Sequence, residues 1–121
     1  MVGIGTRILV VDNLGGRRAV CFNILGSFSF FARLGSNIII AIKDAIPGKK
    51  VKRHEVRLSV LIRARNRTFR VNGVSIFSLS NACVVLDRKR GPIFTRIYGS
   101  VPLELRQTKF VRIMSLASGI Y

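Results

Sequence analysis

The only histidine, His54, stands in the string Lys52-Arg53-His54-Glu55. An imidazole beside a carboxylate could act as a general base, but catalysis would also need a nucleophile or second acid at a fixed spacing, and none accompanies it. His54 is therefore expected to be solvated or to face phosphate. The five acids, Asp12, Asp44, Glu55, Asp87 and Glu104, are scattered singly and make no carboxylate pair or metal-ligand cluster. Cys21 and Cys83 lack the neighbouring His or Cys of a zinc site. Both sit in apolar, strand-like runs, which predicts small core hydrophobes, with a disulfide between them left open. Gly3-Ile4-Gly5 and Gly15-Gly16 are too short for a phosphate-cradling fingerprint. These residues predict a protein that is not an enzyme and needs no metal or cofactor.

The chemistry that is abundant is cationic. Twenty-one Lys and Arg residues against five acids give a net charge of +16, yet 49% of the 121 residues are hydrophobic. A disordered basic tail would be poor in apolar residues, so this composition predicts a folded body with charge on its surface. Such a body repels itself until a polyanion supplies the missing charge. Nucleic acid is the first candidate and an anionic membrane the second. The longest apolar run, Ile38 to Ile42, is far short of the roughly 18 residues of a spanning helix. No stretch has the two faces of an interfacial helix, so no membrane insertion is expected. Neither a signal peptide nor an Arg/Ser-rich transit helix opens the chain.

The cations fall into patches. Arg17-Arg18 is the first. The second runs through Lys43, Lys49, Lys50, Lys52, Arg53 and Arg57 into Arg63, Arg65, Arg67 and Arg70. Arg88-Lys89-Arg90 is the third, and Arg96, Arg106, Lys109 and Arg112 the last. Solvated charge runs normally mix signs, and these do not. Fifteen of the cations are Arg, whose planar fork suits phosphate. The first two patches are the expected RNA-binding residues.

The elements that must hold these residues follow a period of two. Val20, Phe22 and Ile24 alternate with Cys21 and Asn23, as in a half-buried strand. Asn37 to Lys43 reads as a strand buried on both faces. In Val56 to Arg67 the even positions (Val56, Leu58, Val60, Ile62, Ala64) are apolar. The odd ones (Arg57, Ser59, Leu61, Arg63, Arg65, Arg67) are largely arginine, which predicts one core face and one basic face. Further strands are expected at Ile8–Val11, Val74–Phe77 and Ala82–Leu86, with turns at Asn13–Gly16, Asn72-Gly73 and Arg90–Pro92. Short helices are expected at about Pro102 to Gln107 and around Met114 to Ala117. Many short strands with Gly, Pro and Asn between them predict a small closed β-barrel, with residues 1–121 as a single domain. Phe22, Phe69 and Phe77 are expected to pack in the core. The Phe28–Phe31 loop reads either as a cover over the barrel end or as a contact with protein or a base.

The ordered set of motifs resembles the universal large-subunit ribosomal protein fourteen family. Val11-Asp12-Asn13-Leu14-Gly15-Gly16 is similar to the family's opening turn, and Ala32-Arg33-Leu34-Gly35 to its second loop. Val60-Leu61-Ile62-Arg63, Asn72-Gly73 and Asn81-Ala82-Cys83-Val84-Val85-Leu86 resemble its barrel signature. Thr95-Arg96-Ile97-Tyr98-Gly99, Glu104-Leu105-Arg106 and Ser115-Leu116-Ala117 resemble its C-terminal part. The resemblance implies an all-β fold: a five-stranded β-barrel, a projecting β-ribbon and short C-terminal helices. It also implies a structural role on large-subunit rRNA, contacts with neighbouring ribosomal proteins, and a bridge to small-subunit rRNA. In members that have one, a ribosome-silencing factor docks on a surface matching Thr95, Arg96 and Arg112. The chain departs from the family at the Phe28–Phe31 loop, which is often basic there, at Leu14, where a small polar residue is usual, at Phe94 before Thr-Arg, and at Pro102. The acid-poor, Phe-rich composition points to a mitochondrial ribosome, with a bacterial cytoplasm or plastid as alternatives. A free single-stranded-RNA-binding barrel acting as chaperone or regulator is the competing function, and an RNA-processing enzyme the third.

Overall fold

The computed structural model describes residues 2–26, 30–89, 91–107 and 110–121. In chain order the elements are β1 (Val2–Gly3), β2 (Arg7–Val10), β3 (Gly16–Ile24), β4 (Phe31–Ala32), β5 (Asn37–Ala45), β6 (Val56–Arg63), β7 (Thr68–Phe69), β8 (Ser75–Ile76), β9 (Ala82–Val85), β10 (Ile97–Val101), α1 (Glu104–Gln107), α2 (Val111–Leu116) and β11 (Ala117–Ile120). Strands β2, β3, β5, β6 and β9 close into a five-stranded barrel, as expected. The expected ribbon is β7 paired with β8. It turns at Asn72-Gly73, where Gly73 takes a positive φ of 86° that a side chain would strain.

Inside the barrel, large residues face small ones, the arrangement that fills a narrow barrel without voids. Ile40 and Ile42 of β5 lie opposite Cys21 and Ala19 of β3, and all four are buried. This corrects the expected phase of β3. The strand is half-buried, but Ala19 and Cys21 point inward, while Phe22 is 61% exposed. Alternation alone could not set the phase, because both sets of side chains are apolar or small. Strand β5 also differs from the expectation of burial on both faces. Ile38, Ile40 and Ile42 are fully buried, whereas Asn37, Ile39 and Ala41 are only half covered. A run of β-branched residues hides such an alternation.

The barrel closes through its weakest seam. Strands β2 and β9 pair in parallel over only Leu9↔Ala82 and Val10↔Cys83. The next main-chain bond runs from the Val11 N–H to the Cys83 carbonyl, at 3.2 Å. Beyond it the Asp12 side chain takes over the ladder. Its Oδ2 accepts the Val85 N–H at 2.9 Å, and its Oδ1 accepts the Leu14 N–H at 3.1 Å. Asp12 also forms an isolated antiparallel bridge with Ile97 at the start of β10. Burial pushes its carboxyl above the ordinary value, and the two main-chain donors act in the opposite direction.

The C-terminal part is more extended than expected. Helix α1 has four residues and α2 six, and the chain then returns as β11 to pair in parallel with β10. Neither of these two strands was expected from the sequence. No helix among the described residues is long and apolar enough to cross a membrane.

Asp12→Ala would leave the buried Val85 and Leu14 N–H groups without an acceptor, at roughly 1–3 kcal/mol for each orphaned donor. A urea titration should therefore read a loss of about 2–4 kcal/mol. A loss below about 1 kcal/mol would refute the role given to this carboxylate.

Candidate nucleic-acid interface

Residues 46–55, between β5 and β6, carry Lys49, Lys50, Lys52, Arg53 and His54, all exposed. This basic loop is held at several points. The Ile46 N–H donates to the Gly15 carbonyl at 2.7 Å, and the Val51 N–H to the Leu14 carbonyl at 3.2 Å. Val51 is itself buried. At the loop's end, the His54 N–H donates to the Ile42 carbonyl, and the Ile42 N–H to the Glu55 carbonyl, both at 2.8 Å. The loop lies so close to the opening turn that a Cβ on Gly15 would stand 2.3 Å from the Lys49 Cβ. Gly15 also takes a φ of +110°, which disfavours any side chain.

Lys43 is exposed near the end of β5. Arg17 and Arg18 are both exposed although adjacent on one strand. Register shifts between Gly16 and Arg18 and between Arg18 and Ala19 interrupt the alternation, as a bulge does.

The expected arginine face of Val56–Arg67 is interrupted. Ser59 and Leu61 are fully buried, and the strand ends at Arg63. Ser59 donates through Oγ to the Ile38 carbonyl at 3.4 Å. Among the even positions, Val56 is 58% exposed and Leu58 half-buried, so the core face begins only at Val60. The central positions of β6 are covered on both sides, which a period-two reading of one strand cannot foresee.

Three of the expected RNA-binding arginines are engaged within the chain. Arg57 Nε pairs with Glu55 Oε2 at 2.9 Å. Arg63 Nη2 donates to the Tyr98 carbonyl at 3.1 Å, and its Nε is buried without a partner among the described residues. Arg70 makes a forked contact with Glu104, Nε to Oε1 at 2.6 Å and Nη2 to Oε2 at 3.3 Å, and Nη2 also donates to the Tyr121 main-chain oxygen. Arg65 and Arg67 lie beyond the strand and are exposed, with the Arg67 guanidinium 5.7 Å from the centre of the Phe77 ring. Among the described residues only Arg57 and Arg70 pair with a carboxylate. Asp12 and Asp87 instead accept main-chain N–H groups.

Thr95 and Arg96 are exposed between the barrel and β10, and Arg112 is exposed on α2. A reciprocal pair holds Thr95: Asn13 Nδ2 donates to its Oγ1 at 2.6 Å, and its N–H donates to Asn13 Oδ1 at 3.1 Å. One concavity is lined by Asn13, Leu14, Lys49, Lys50, Ile93 and Thr95. The basic loop and Thr95, assigned to different partners in the sequence, therefore share a surface. Arg96 lies over the Tyr98 ring at 5.2 Å. Arg88 and Lys89 are exposed, while Arg90, Lys109 and Phe28 lie outside the described residues.

The aromatics correct another expectation. Phe22, Phe69 and Phe77 are 61%, 79% and 57% exposed rather than packed in the core. Phe30 is exposed, and Phe31 sits in β4 opposite Gly3. Sequence reasoning also missed Arg7, exposed on β2 beside the buried Ile8. Beginning that strand one residue earlier would have revealed the outward Arg7, Leu9 pair. Cys21 and Cys83 are free and buried, and burial raises both thiols above their ordinary value, so neither is poised as a nucleophile. Among the described residues no three His, Cys, Asp or Glu side chains gather where a metal could bind.

The family model for ribosomal protein L14p/L23e matches residues 1–121. The chain belongs to that family. Its role is accordingly structural within the ribosome rather than catalytic, and the cationic barrel surface is that of a ribosomal protein.

Gly15→Ala should displace the basic loop while sparing the barrel. The expected result is faster tryptic cleavage after Lys49–Arg53 with an unchanged β-sheet circular dichroism spectrum; an unchanged cleavage rate would refute the docking. A second expectation concerns Glu104. Burial pushes its carboxyl up, but the Arg70 fork and a backbone hydrogen bond outweigh this and hold it below its ordinary 4.5. Its contribution to stability is present above that ordinary value and is lost as pH falls through the lowered native one. Arg70→Gln should therefore destabilise the chain at neutral pH, and the difference should shrink in acid. A difference that grows below pH 4.5 would contradict the pairing.

Proposed function

We propose that the chain is a structural constituent of the large ribosomal subunit that binds rRNA and contributes to the bridge with small-subunit rRNA. The observation that carries this reading is the docked basic loop. Lys49, Lys50, Lys52 and Arg53 are exposed and carry no carboxylate partner among the described residues, and main-chain bonds from Ile46 and Val51 tie their loop to the opening turn. A loop backbone already tied in place has less freedom to lose on meeting phosphate, although its exposed side chains still order there. Arg17, Arg18, Lys43, Arg65 and Arg67 extend the surface. Arg57, Arg63 and Arg70 serve it indirectly, since their guanidinium groups hold neighbouring backbone and carboxylates.

Thr95, Arg96 and Arg112 form the contact for a protein partner, such as a ribosome-silencing factor or a neighbouring ribosomal protein. The compartment we favour is the mitochondrial ribosome, on the acid-poor, Phe-rich composition. Residues 1–121 act as one domain in this role, consistent with one contiguous hydrophobic core that includes Val101, Leu105 and Ile113 together with the barrel residues.

Sedimentation through a high-salt gradient tests the assignment. Co-migration with large subunits is expected, and recovery only as free protein would overturn it. Reversing Lys49, Lys50, Lys52 and Arg53 to Glu should abolish incorporation without unfolding the barrel. It should also flatten the salt dependence of RNA binding by about 0.9 in logarithmic slope for each duplex phosphate that the loop no longer neutralises. Normal incorporation of the reversed chain would remove the loop from the interface.

A further inference from the structure

A second concavity is built on the outward side of β2. Arg7 and Leu9 alternate on the outward side of β2, and both are exposed. Together with Arg65, Leu79, Ser80 and Asn81 they line an open cleft of about 170 Å³. Its rim is fixed by hydrogen bonds. The Leu9 N–H donates to the Asn81 carbonyl at 3.0 Å, and the Arg65 N–H to Asn81 Oδ1 at 3.0 Å. The second bond sets the plane of the Asn81 amide and leaves Nδ2 available as a donor, beside the Ser80 hydroxyl.

The lining combines two chemistries. Arg7 and Arg65 have no ion-pair partner among the described residues, and no carboxylate lines the cleft. Leu9, 42% exposed, and Leu79, 89% exposed, share the same lining. An inorganic anion would use the guanidinium groups and leave the leucines in water. A duplex would present phosphate but keep its base faces stacked inside. An unpaired nucleotide offers phosphate, a flat apolar face and a polar base edge together.

We propose that this cleft holds one unpaired nucleotide of an RNA strand, with its base against Leu9 and Leu79 and its phosphate between Arg7 and Arg65. The inference rests on the RNA-binding reading above and deepens it, adding a single-stranded subsite to a surface otherwise suited to backbone phosphate. Ser80 Oγ and Asn81 Nδ2 donate to the base edge. Arg guanidinium planes also stack on bases, so Arg65 serves both parts of the nucleotide.

The test compares binding of the full chain to a short fluorescent oligouridine, an abasic ribose-phosphate strand of equal length, and a blunt RNA duplex. Leu79→Ala alters a side chain that packs little in the free protein, and circular dichroism checks that the fold is kept. This variant should bind oligouridine about fivefold to tenfold more weakly, as covering about half of the three removed carbons requires. Its binding to the abasic strand and the duplex should be unchanged. Arg7→Gln and Arg65→Gln should each weaken both single strands, and together they should lower the logarithmic salt slope by about 0.7 for the one phosphate they share. Unchanged oligouridine binding by Leu79→Ala, or equal weakening on all three probes, overturns the cleft alone. So does displacement of oligouridine by an acidic leucine-containing peptide whose own binding Leu79→Ala abolishes. A wild-type chain that binds neither duplex nor single strand overturns the RNA-binding reading as well.

Discussion

The fold depends on how the barrel is closed. Antiparallel pairing along β2, β3, β5, β6 and β9 leaves one parallel seam, β2 against β9, and main-chain pairing there is short. The buried Asp12 carboxylate lengthens the seam by accepting the Val85 N–H, and it shapes the following turn by accepting the Leu14 N–H. The same residue bridges to Ile97, where the C-terminal part begins. Burying a carboxylate is costly. Here it joins the barrel seam, the opening turn and β10 at one point, with main-chain donors on both of its oxygens.

That junction also positions the charged surface. The opening turn shaped by Asp12 provides the Leu14 and Gly15 carbonyls that hold the basic loop, and the adjacent Asn13 holds Thr95. Exposed lysines and a separate polar contact are thus fixed to one turn. With few acids available, charge neutralisation within the chain is sparse. Among the described residues two carboxylates pair with arginines, and two others hold main-chain N–H groups. The remaining excess of positive charge is what a polyanion must balance.

Much of the fold was legible in the residues themselves. Period-two runs located the principal barrel strands, because a strand between core and solvent must alternate. The phase of β3 was not legible, since Ala19 and Cys21 compete with Val20 and Phe22 and only the opposing isoleucines decide which set fits inside. Nor was the double burial of Ser59 and Leu61, which depends on what covers the outer side of β6. Strands β10 and β11 were missed because their pairing is parallel and joins residues separated by two helices.

The sequence by itself determined the class of protein. Surplus cations on an apolar, strand-forming chain specify a folded body with a basic surface, and the order of the motifs specified the family. Only the tertiary structure decided which cations have partners within the chain. Arg57, Arg63 and Arg70 look like their neighbours along the chain, yet each is engaged by Glu55, the Tyr98 carbonyl or Glu104. Arg7, isolated in sequence, shares a cleft with Arg65. Net charge depends on composition, but the freedom of a given guanidinium depends on partners that folding brings from distant parts of the chain.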